Sequence, residues 1–168
     1  MKRIFSFLLP VLLLLSLASC GESINMSTLT EYQNNGFMAE LSLSIDGKKY
    51  TAHAEKRGEK LFLRIKEPAE LAPFTFILGE NEASVEADGA EIPLCAGELF
   101  SFSPLCALFS VPVAGTWKIE RARPGGVDVY VCESGGTVLY IDACSHLPLK
   151  IICGTAEADV LSFTAGAP

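Results

Sequence analysis

The sequence predicts an all-β protein of about eleven antiparallel strands, arranged as a sandwich or a barrel, and three observations support this class. Apolar and polar residues alternate with a period of two over most of the chain after Gly36. Asp-Gly and Gly-Gly pairs, which favour tight hairpins, separate the alternating segments. The segments recur at about the 8–12 residue spacing of such folds, and consecutive hairpins favour a meander.

Eleven segments carry the strand pattern, six before and five after an apolar interruption. The six are residues 37–45, 48–56, 61–66, 74–78, 83–87 and 91–94. The five are residues 116–122, 127–133, 137–143, 149–153 and 160–164.

Two helical segments are predicted beside the strands. A short N-terminal helix begins near Ser27, where Thr28 and Glu31 have the spacing of a capping box, and it ends at Gly36. Residues 97–113 lose the alternation and are almost continuously apolar, with Pro104 suited to a first helical position. We expect one helix or two short ones there, covering the apolar face of the sheet as a lid.

The N-terminal segment has the pattern of a secretory leader. Lys2 and Arg3 precede an apolar run over residues 4–17, and Ala18-Ser19 then precede Cys20. This stretch resembles a bacterial lipobox, in which the cysteine is diacylglycerylated and becomes the first mature residue; the alternative is an ordinary signal peptide.

These features predict three parts of the chain. Residues 1–19 form the signal peptide, residues 20–26 the lipidated cysteine and tether, and residues 27–168 a single domain. The protein is then exported and held on the extracytoplasmic face of the cell membrane by the acyl chains on Cys20, because two or three chains anchor durably.

Charge excludes one class of partner. The chain carries 13 Lys and Arg against 20 Asp and Glu, and loss of Lys2 and Arg3 with the leader leaves a net charge of −9. Nucleic-acid binding needs a clustered basic face, so we expect no nucleic-acid partner.

Cysteine chemistry is left open by the sequence. If Cys20 carries lipid, five cysteines remain, and an odd number leaves at least one thiol unpaired within the chain. They are Cys95, Cys106, Cys132, Cys144 and Cys153. A disulfide within the last three and a fully reduced set are both compatible with the sequence.

Enzymatic motifs are absent from the sequence, so we expect neither catalysis nor a cofactor. There is no Gly-x-Ser-x-Gly elbow, phosphate-binding glycine loop or His-Glu-x-x-His motif. Cys144 and His146 lack further zinc ligands at regular spacing and a group that would orient the imidazole, and we interpret them as turn residues. His53 lies within a predicted strand, where we interpret it as structural.

A late segment resembles a known family. Val138-Leu139-Tyr140-Ile141-Asp142, followed by Leu147-Pro148-Leu149-Lys150-Ile151, is similar to a strand-turn-strand of the LolA/LolB-like exported lipoproteins and lipoprotein carriers. The order of one helix, six strands, an apolar interlude and five strands is similar too. The chain departs from the family at Ala143-Cys144-Ser145-His146, where polar turn residues and glycine are more usual.

The resemblance implies a strongly curved antiparallel sheet, an open half-barrel whose apolar concave face is covered by helices and binds acyl chains or other hydrophobic ligands. The candidates for lining such a groove are Leu41, Leu43, Leu63, Phe100, Phe102, Leu105, Leu108, Phe109, Trp117, Val129 and Ile141. The competing interpretation is a closed core, in which these residues only pack.

The resemblance also implies a second function. Some lipoproteins of this fold in spore-forming bacteria support germination by binding a cell-wall amidase. Under this hypothesis the domain is a scaffold that presents its sheet edges or outer face to an envelope protein. A deep, open concavity favours ligand binding, and a filled one favours the scaffold.

Overall fold

The fold is an open antiparallel sheet of eleven strands, known from a computed structural model that describes residues 24–79, 82–94 and 115–166. The strands of the first half are β1 (Phe37–Ile45), β2 (Lys48–Arg57), β3 (Lys60–Glu67), β4 (Thr75–Leu78), β5 (Ala83–Ala87) and β6 (Ala90–Pro93). Those of the second half are β7 (Lys118–Ala122), β8 (Val129–Ser134), β9 (Thr137–Asp142), β10 (Pro148–Cys153) and β11 (Ala156–Ala165). The predicted strand number is confirmed.

Two meanders join to form this sheet. The strand order is β6-β5-β4-β3-β2-β1-β11-β10-β9-β8-β7, so every neighbouring pair is a sequence neighbour except β1 and β11. Phe37 pairs with Ala165 and Ile45 with Ala156 at the two ends of that junction. Because β6 and β7 are the two edges, the sheet is open and does not close into a barrel.

The hairpins form where the sequence places its turn signals. Asp46 and Gly47 both have positive φ, 50° and 77°, between β1 and β2. A two-residue turn of this kind matches the twist of its strands, and glycine takes the second position without steric cost. Gly135 and Gly136 make the corresponding turn between β8 and β9, with φ of 55° and 84°.

The N-terminal helix is shorter than predicted and begins earlier. Helix α1 spans Met26–Leu29, and a 3-10 turn follows at Glu31–Asn34. The predicted capping box at Thr28 is wrong, because Asn25 is the N-cap and its Oδ1 accepts from the Thr28 amide at 3.0 Å. Asn is among the strongest N-capping residues, so the helix starts before the expected position.

Three β-bulges interrupt the register. Each adds one residue to one strand: Lys66 on β3, Leu149 on β10 and Leu161 on β11. Bulges bend a strand and increase its twist, which is how an antiparallel sheet acquires curvature. They also explain why Leu149 and Leu161 are exposed in otherwise alternating strands.

The helical lid predicted over residues 97–113 lies outside the described residues. Among the described residues, helical structure is limited to α1 and three 3-10 turns, Glu31–Asn34, Ala69–Leu71 and Pro124–Gly126. No helix in this part of the chain is long and apolar enough to cross a membrane.

Candidate functional site

One face of the sheet, which we call the concave face, carries the hydrophobic core. The groove candidates Leu41, Leu43, Leu63 and Ile141 are all on this face, each at most 1% exposed. They belong to a single buried cluster that also includes Met26, Leu29 and Tyr32 of the N-terminal segment. The structure therefore brings these four predicted residues together; their role as ligand contacts stays a prediction.

Val129 is separated from the other candidates. The register of β8 and β9 pairs it with Asp142, one position out of phase with Ile141, which pairs with Tyr130. Since successive strand residues point to opposite faces, Val129 is on the face opposite to Ile141. It is buried there and lies outside the core cluster, so the expectation that it points inward is wrong.

A cluster of three aromatic side chains packs on the concave face at the junction of the two meanders. The rings of Phe37 on β1 and Phe163 on β11 stack with centroids 5.0 Å apart, and Tyr32 meets Phe163 edge-on at 5.6 Å. Burial raises the pKa of Tyr32 to about 12, and Gln33 Nε2 lies 3.3 Å from its hydroxyl. The 3-10 turn is thus packed firmly onto β1 and β11.

A lysine on β2 bonds the same 3-10 turn to the sheet. Lys56 shares the concave face of β2 with Ala54, and its Nζ donates a short hydrogen bond to the carbonyl oxygen of Gln33. Desolvation by the surrounding residues lowers the pKa of Lys56. A cation at the C-terminal end of a helical turn interacts favourably with the free carbonyls there.

Beyond α1, toward the β7 edge, the concave face opens into a depression of about 370 Å³. Its lining is Ile24, Asn25, Met26, Ser27, Gly115, Trp117 and Ile119. The core is continuous with this lining, because Ile24, Trp117 and Ile119 pack against the buried cluster and Met26 belongs to it. We call this feature the α1–β7 depression.

The polar side chains that line the depression, Asn25 and Ser27, both come from the N-terminal segment of the domain. Asn25 Oδ1 accepts from the Ser27 hydroxyl at 2.7 Å and from the Thr28 hydroxyl at 3.1 Å, in addition to the Thr28 amide. Its acceptor capacity is therefore used in capping α1. The apolar surface that the depression offers to a ligand comes from Ile24, Met26, Trp117 and Ile119.

The sequence predicted one of these seven residues. Trp117 was a candidate and lines the depression; Phe100, Phe102, Leu105, Leu108 and Phe109 lie outside the described residues. No local sequence pattern marks Ile24, Met26 or Ile119 as site residues, because α1 and β7 are far apart in the sequence and meet only in the folded chain. The Asn25 N-cap was the available clue to where α1 begins.

The cysteines in the described part of the chain have distinct environments. Cys132, Cys144 and Cys153 are free thiols, so no disulfide forms among these three. Cys132 is fully buried in the core, and desolvation raises its pKa to about 11. Cys144 is exposed, and Thr137 donates its hydroxyl hydrogen to Cys153 Sγ at 3.6 Å.

The turn that contains Cys144 and His146 is organised by Asp142. Its Oδ1 accepts from the amides of Cys144 at 3.0 Å and Ser145 at 2.7 Å, and these bonds lower the pKa of Asp142. His146 has a positive φ of 56° and its ring meets Tyr130 edge-on. No cluster of three potential metal ligands occurs among the described residues.

Comparisons by sequence alone find nothing: no family model and no curated protein matches the chain. Solved structures resemble its fold. An uncharacterized conserved protein from Thermus thermophilus is 14% identical and covers 83% of this chain and 84% of its own, with a TM-score of 0.53.

Two weaker resemblances are to proteins whose names state a family or a partner. A LolA superfamily protein from Nitrosomonas europaea is 10% identical over 87% of this chain and 96% of its own, with a TM-score of 0.42. MucB, in its complex with MucA from Pseudomonas aeruginosa, is 16% identical over 84% of this chain and 56% of its own, with a TM-score of 0.40.

These likenesses concern the fold alone. The described chain is an open half-barrel of eleven antiparallel strands, with a short N-terminal helix packed on its apolar face. The strand-turn-strand resemblance around Asp142 implies an open, curved antiparallel half-barrel, and the described sheet has that architecture.

Proposed function

We propose that the protein is an exported lipoprotein, anchored through acylated Cys20, that binds a lipid or another hydrophobic ligand on the concave face of its half-barrel. The α1–β7 depression is the observation that supports this function. It is a recess lined by both polar and apolar residues and continuous with the core, in the place where a filled, closed core would leave none.

The depression suits part of an acyl chain. Its volume of about 370 Å³ lies at the lower end of the range for small-molecule sites. Each methylene removed from water contributes about 0.8 kcal/mol, so burial of six would contribute about 5 kcal/mol before the entropic cost of binding. In this proposal residues 97–113, which connect the two edge strands, cover the remaining concave face as the predicted lid.

Ligand binding is tested with non-acylated protein. Residues 21–168, produced in the cytoplasm without the leader and Cys20, are purified without detergent, their organic extract is analysed by mass spectrometry, and they are titrated with a dansylated fatty acid. We expect co-purified lipid and energy transfer from Trp117, the single tryptophan of the chain, to the probe. Absence of both extractable lipid and probe binding would overturn the proposal.

A matched pair of variants localises the site. Ile119→Ser removes apolar surface from the depression and should weaken probe binding by about tenfold, because a buried isoleucine side chain contributes roughly 1.5–3 kcal/mol. Ile92→Ser makes the same change at the β6 edge, where Ile92 is 59% exposed, and should leave the affinity unchanged.

Anchoring is tested separately by mass spectrometry of the mature N-terminus. We expect a peptide that begins at Cys20 and carries a diacylglyceryl mass, and we expect Cys20→Ala to remain unprocessed. An unmodified N-terminus elsewhere would contradict the lipobox.

A second candidate function is a non-enzymatic envelope scaffold that supports a protein partner, such as the cell-wall amidase implied by the family resemblance. The exposed bulge residues Leu149 and Leu161 favour it, because they place apolar side chains on the sheet surface. We expect a stoichiometric amidase in purifications from native envelopes and its loss in a Leu149→Ser, Leu161→Ser variant. Retention of the amidase by that variant would exclude this surface.

A further inference from the structure

The α1–β7 depression lies next to the proposed anchor. Ile24, part of its lining, is the fourth residue after Cys20. Four residues span at most about 14 Å when fully extended, whatever conformation they adopt. If Cys20 carries acyl chains, its backbone lies at the membrane surface, and Ile24 lies within that distance of it.

The size of the domain makes this distance decisive. A compact domain of about 150 residues has a radius of gyration of roughly 15 Å, and hence a width well above the tether length. The domain therefore cannot turn far enough to carry the surface around Ile24 to the side remote from the bilayer. Gly115, Trp117 and Ser27 share that surface through the depression.

The side chains at this surface suit a membrane interface. Trp117 and Ile24 are partly exposed at the edge of the depression and partly packed on the core. Tryptophan, with an apolar ring system and one N–H donor, is enriched where lipid chains meet water.

We propose that the surface formed by Ile24, Ser27, Gly115 and Trp117 rests on the bilayer that holds Cys20, with the α1–β7 depression open toward the lipids. This inference rests on the proposed acyl anchor. A hydrophobic ligand then passes between the membrane and the depression without crossing water, which removes the cost of solvating its chain. The partner of this surface is the anchoring membrane itself.

Trp117 provides the probe for a test. The acylated protein is reconstituted into phosphatidylcholine vesicles with and without dibrominated chains, which quench tryptophan only at close range. We expect the brominated lipid to remove at least half of the Trp117 emission. Insertion of twelve Gly and Ser residues after Ser23 should restore the emission, because a flexible tether of sixteen residues has a typical span of about 22 Å and releases the domain.

A relocated tryptophan is the matched control. In a Trp117→Phe, Leu161→Trp variant the probe moves to the β11 bulge, where Leu161 is 63% exposed and does not line the depression. We expect no quenching there. Equal quenching at the two positions, or none at Trp117 in protein that floats with the vesicles, would overturn the membrane-facing surface.

Flotation and ligand binding separate this inference from the function it rests on. Protein that fails to float with vesicles lacks the acyl anchor, which overturns both the anchoring and the membrane contact. Protein that floats and binds the dansylated fatty acid but shows unquenched Trp117 retains the proposed function and refutes the inference alone.

Discussion

Glu40 on β1 and His53 on β2 are direct cross-strand partners, and Glu40 Oε1 lies 2.9 Å from His53 Nδ1. Lys66, the extra residue of the β3 bulge, donates to both oxygens of Glu40 at 2.8 Å. These three side chains form a hydrogen-bonded row across β1, β2 and β3 on the face opposite to the core. The structure thus gives His53 a carboxylate partner within the sheet; its structural role stays a prediction.

We first predict the effect of Lys66→Met on this row. The Lys66 hydrogen bond is the largest cause that lowers the pKa of Glu40, so its removal should move that pKa upward toward the ordinary value. Carboxyl resonances followed by NMR during a pH titration measure the change. Lys60→Met, which breaks the separate Lys60–Glu82 pair, should leave Glu40 unaffected.

The same variant has a stability signature. A carboxyl whose folded pKa is lowered stabilises the fold above its unfolded pKa of about 4.3, and this contribution is lost as the pH falls through the folded pKa. Because the pair is partly exposed, we expect Lys66→Met to cost about 0.5 kcal/mol at pH 7. Denaturant unfolding at a series of pH values measures this cost, which should disappear below the folded pKa of Glu40. An equal cost at every pH would contradict the ion-pair explanation.

Asp142 is predicted to be the most sensitive turn residue between β9 and β10. Asp142→Ala removes three hydrogen bonds, to the amides of Cys144 and Ser145 and to the Ser145 hydroxyl, and should cost about 1–2 kcal/mol. Asp142→Asn keeps an acceptor oxygen and should cost less. Unfolding curves at neutral pH test the ranking, which would be wrong if both variants were equally stable.

Acid should reduce the difference between these two variants and the parent protein. The Ser145 amide is the first cause that lowers the pKa of Asp142, so the charged carboxylate stabilises the turn above its unfolded pKa of about 3.9. That contribution disappears as the pH falls through the folded pKa.

Thiol labelling should distinguish the buried from the exposed cysteine. At pH 8 we expect N-ethylmaleimide to modify Cys144 rapidly and Cys132 only on unfolding, because Cys132 is buried with its pKa raised to about 11. Peptide mass spectrometry after timed labelling measures both sites in one sample. Modification of Cys132 at the rate of Cys144 would show that the core around it opens readily.

Helix capping provides a direct test of the corrected helix start. Asn25→Ala should destabilise the domain by about 1 kcal/mol, since Asn25 accepts from the Thr28 amide at the start of α1. Thr28→Ala, at the position that the sequence pattern selected as the cap, should cost less. Thermal unfolding of the two variants separates the alternatives, and the reverse order would restore the original assignment.

The strands were predictable because their information is local. Alternation over residues 37–45 gave the bounds of β1, and the Asp46-Gly47 turn gave its hairpin with β2. Period-two patterning and turn chemistry act over a few residues, so a single sequence contains them. The same reasoning placed all eleven strands within a few residues of their observed bounds.

The candidate site was less predictable because its two walls are distant in sequence. Trp117 was named from its position at the start of a strand, but Ile24 and Met26 join it through packing of α1 beside β7. Val129 was assigned to the wrong face, since a strand with valines at 127, 129 and 131 gives no local sign of which face the core occupies.

The sequence by itself determined the eleven strands, their hairpins and a leader pattern that ends at Cys20, because each depends on residues that are close along the chain. The tertiary structure decided the β1–β11 pairing, the bulges at Lys66, Leu149 and Leu161, and the α1–β7 depression. The β1–β11 pairing brings together residues more than a hundred positions apart, and the free energy of such contacts comes from apolar burial, which is non-directional. A periodic pattern therefore shows that a face will be covered, and only the fold shows which residues cover it.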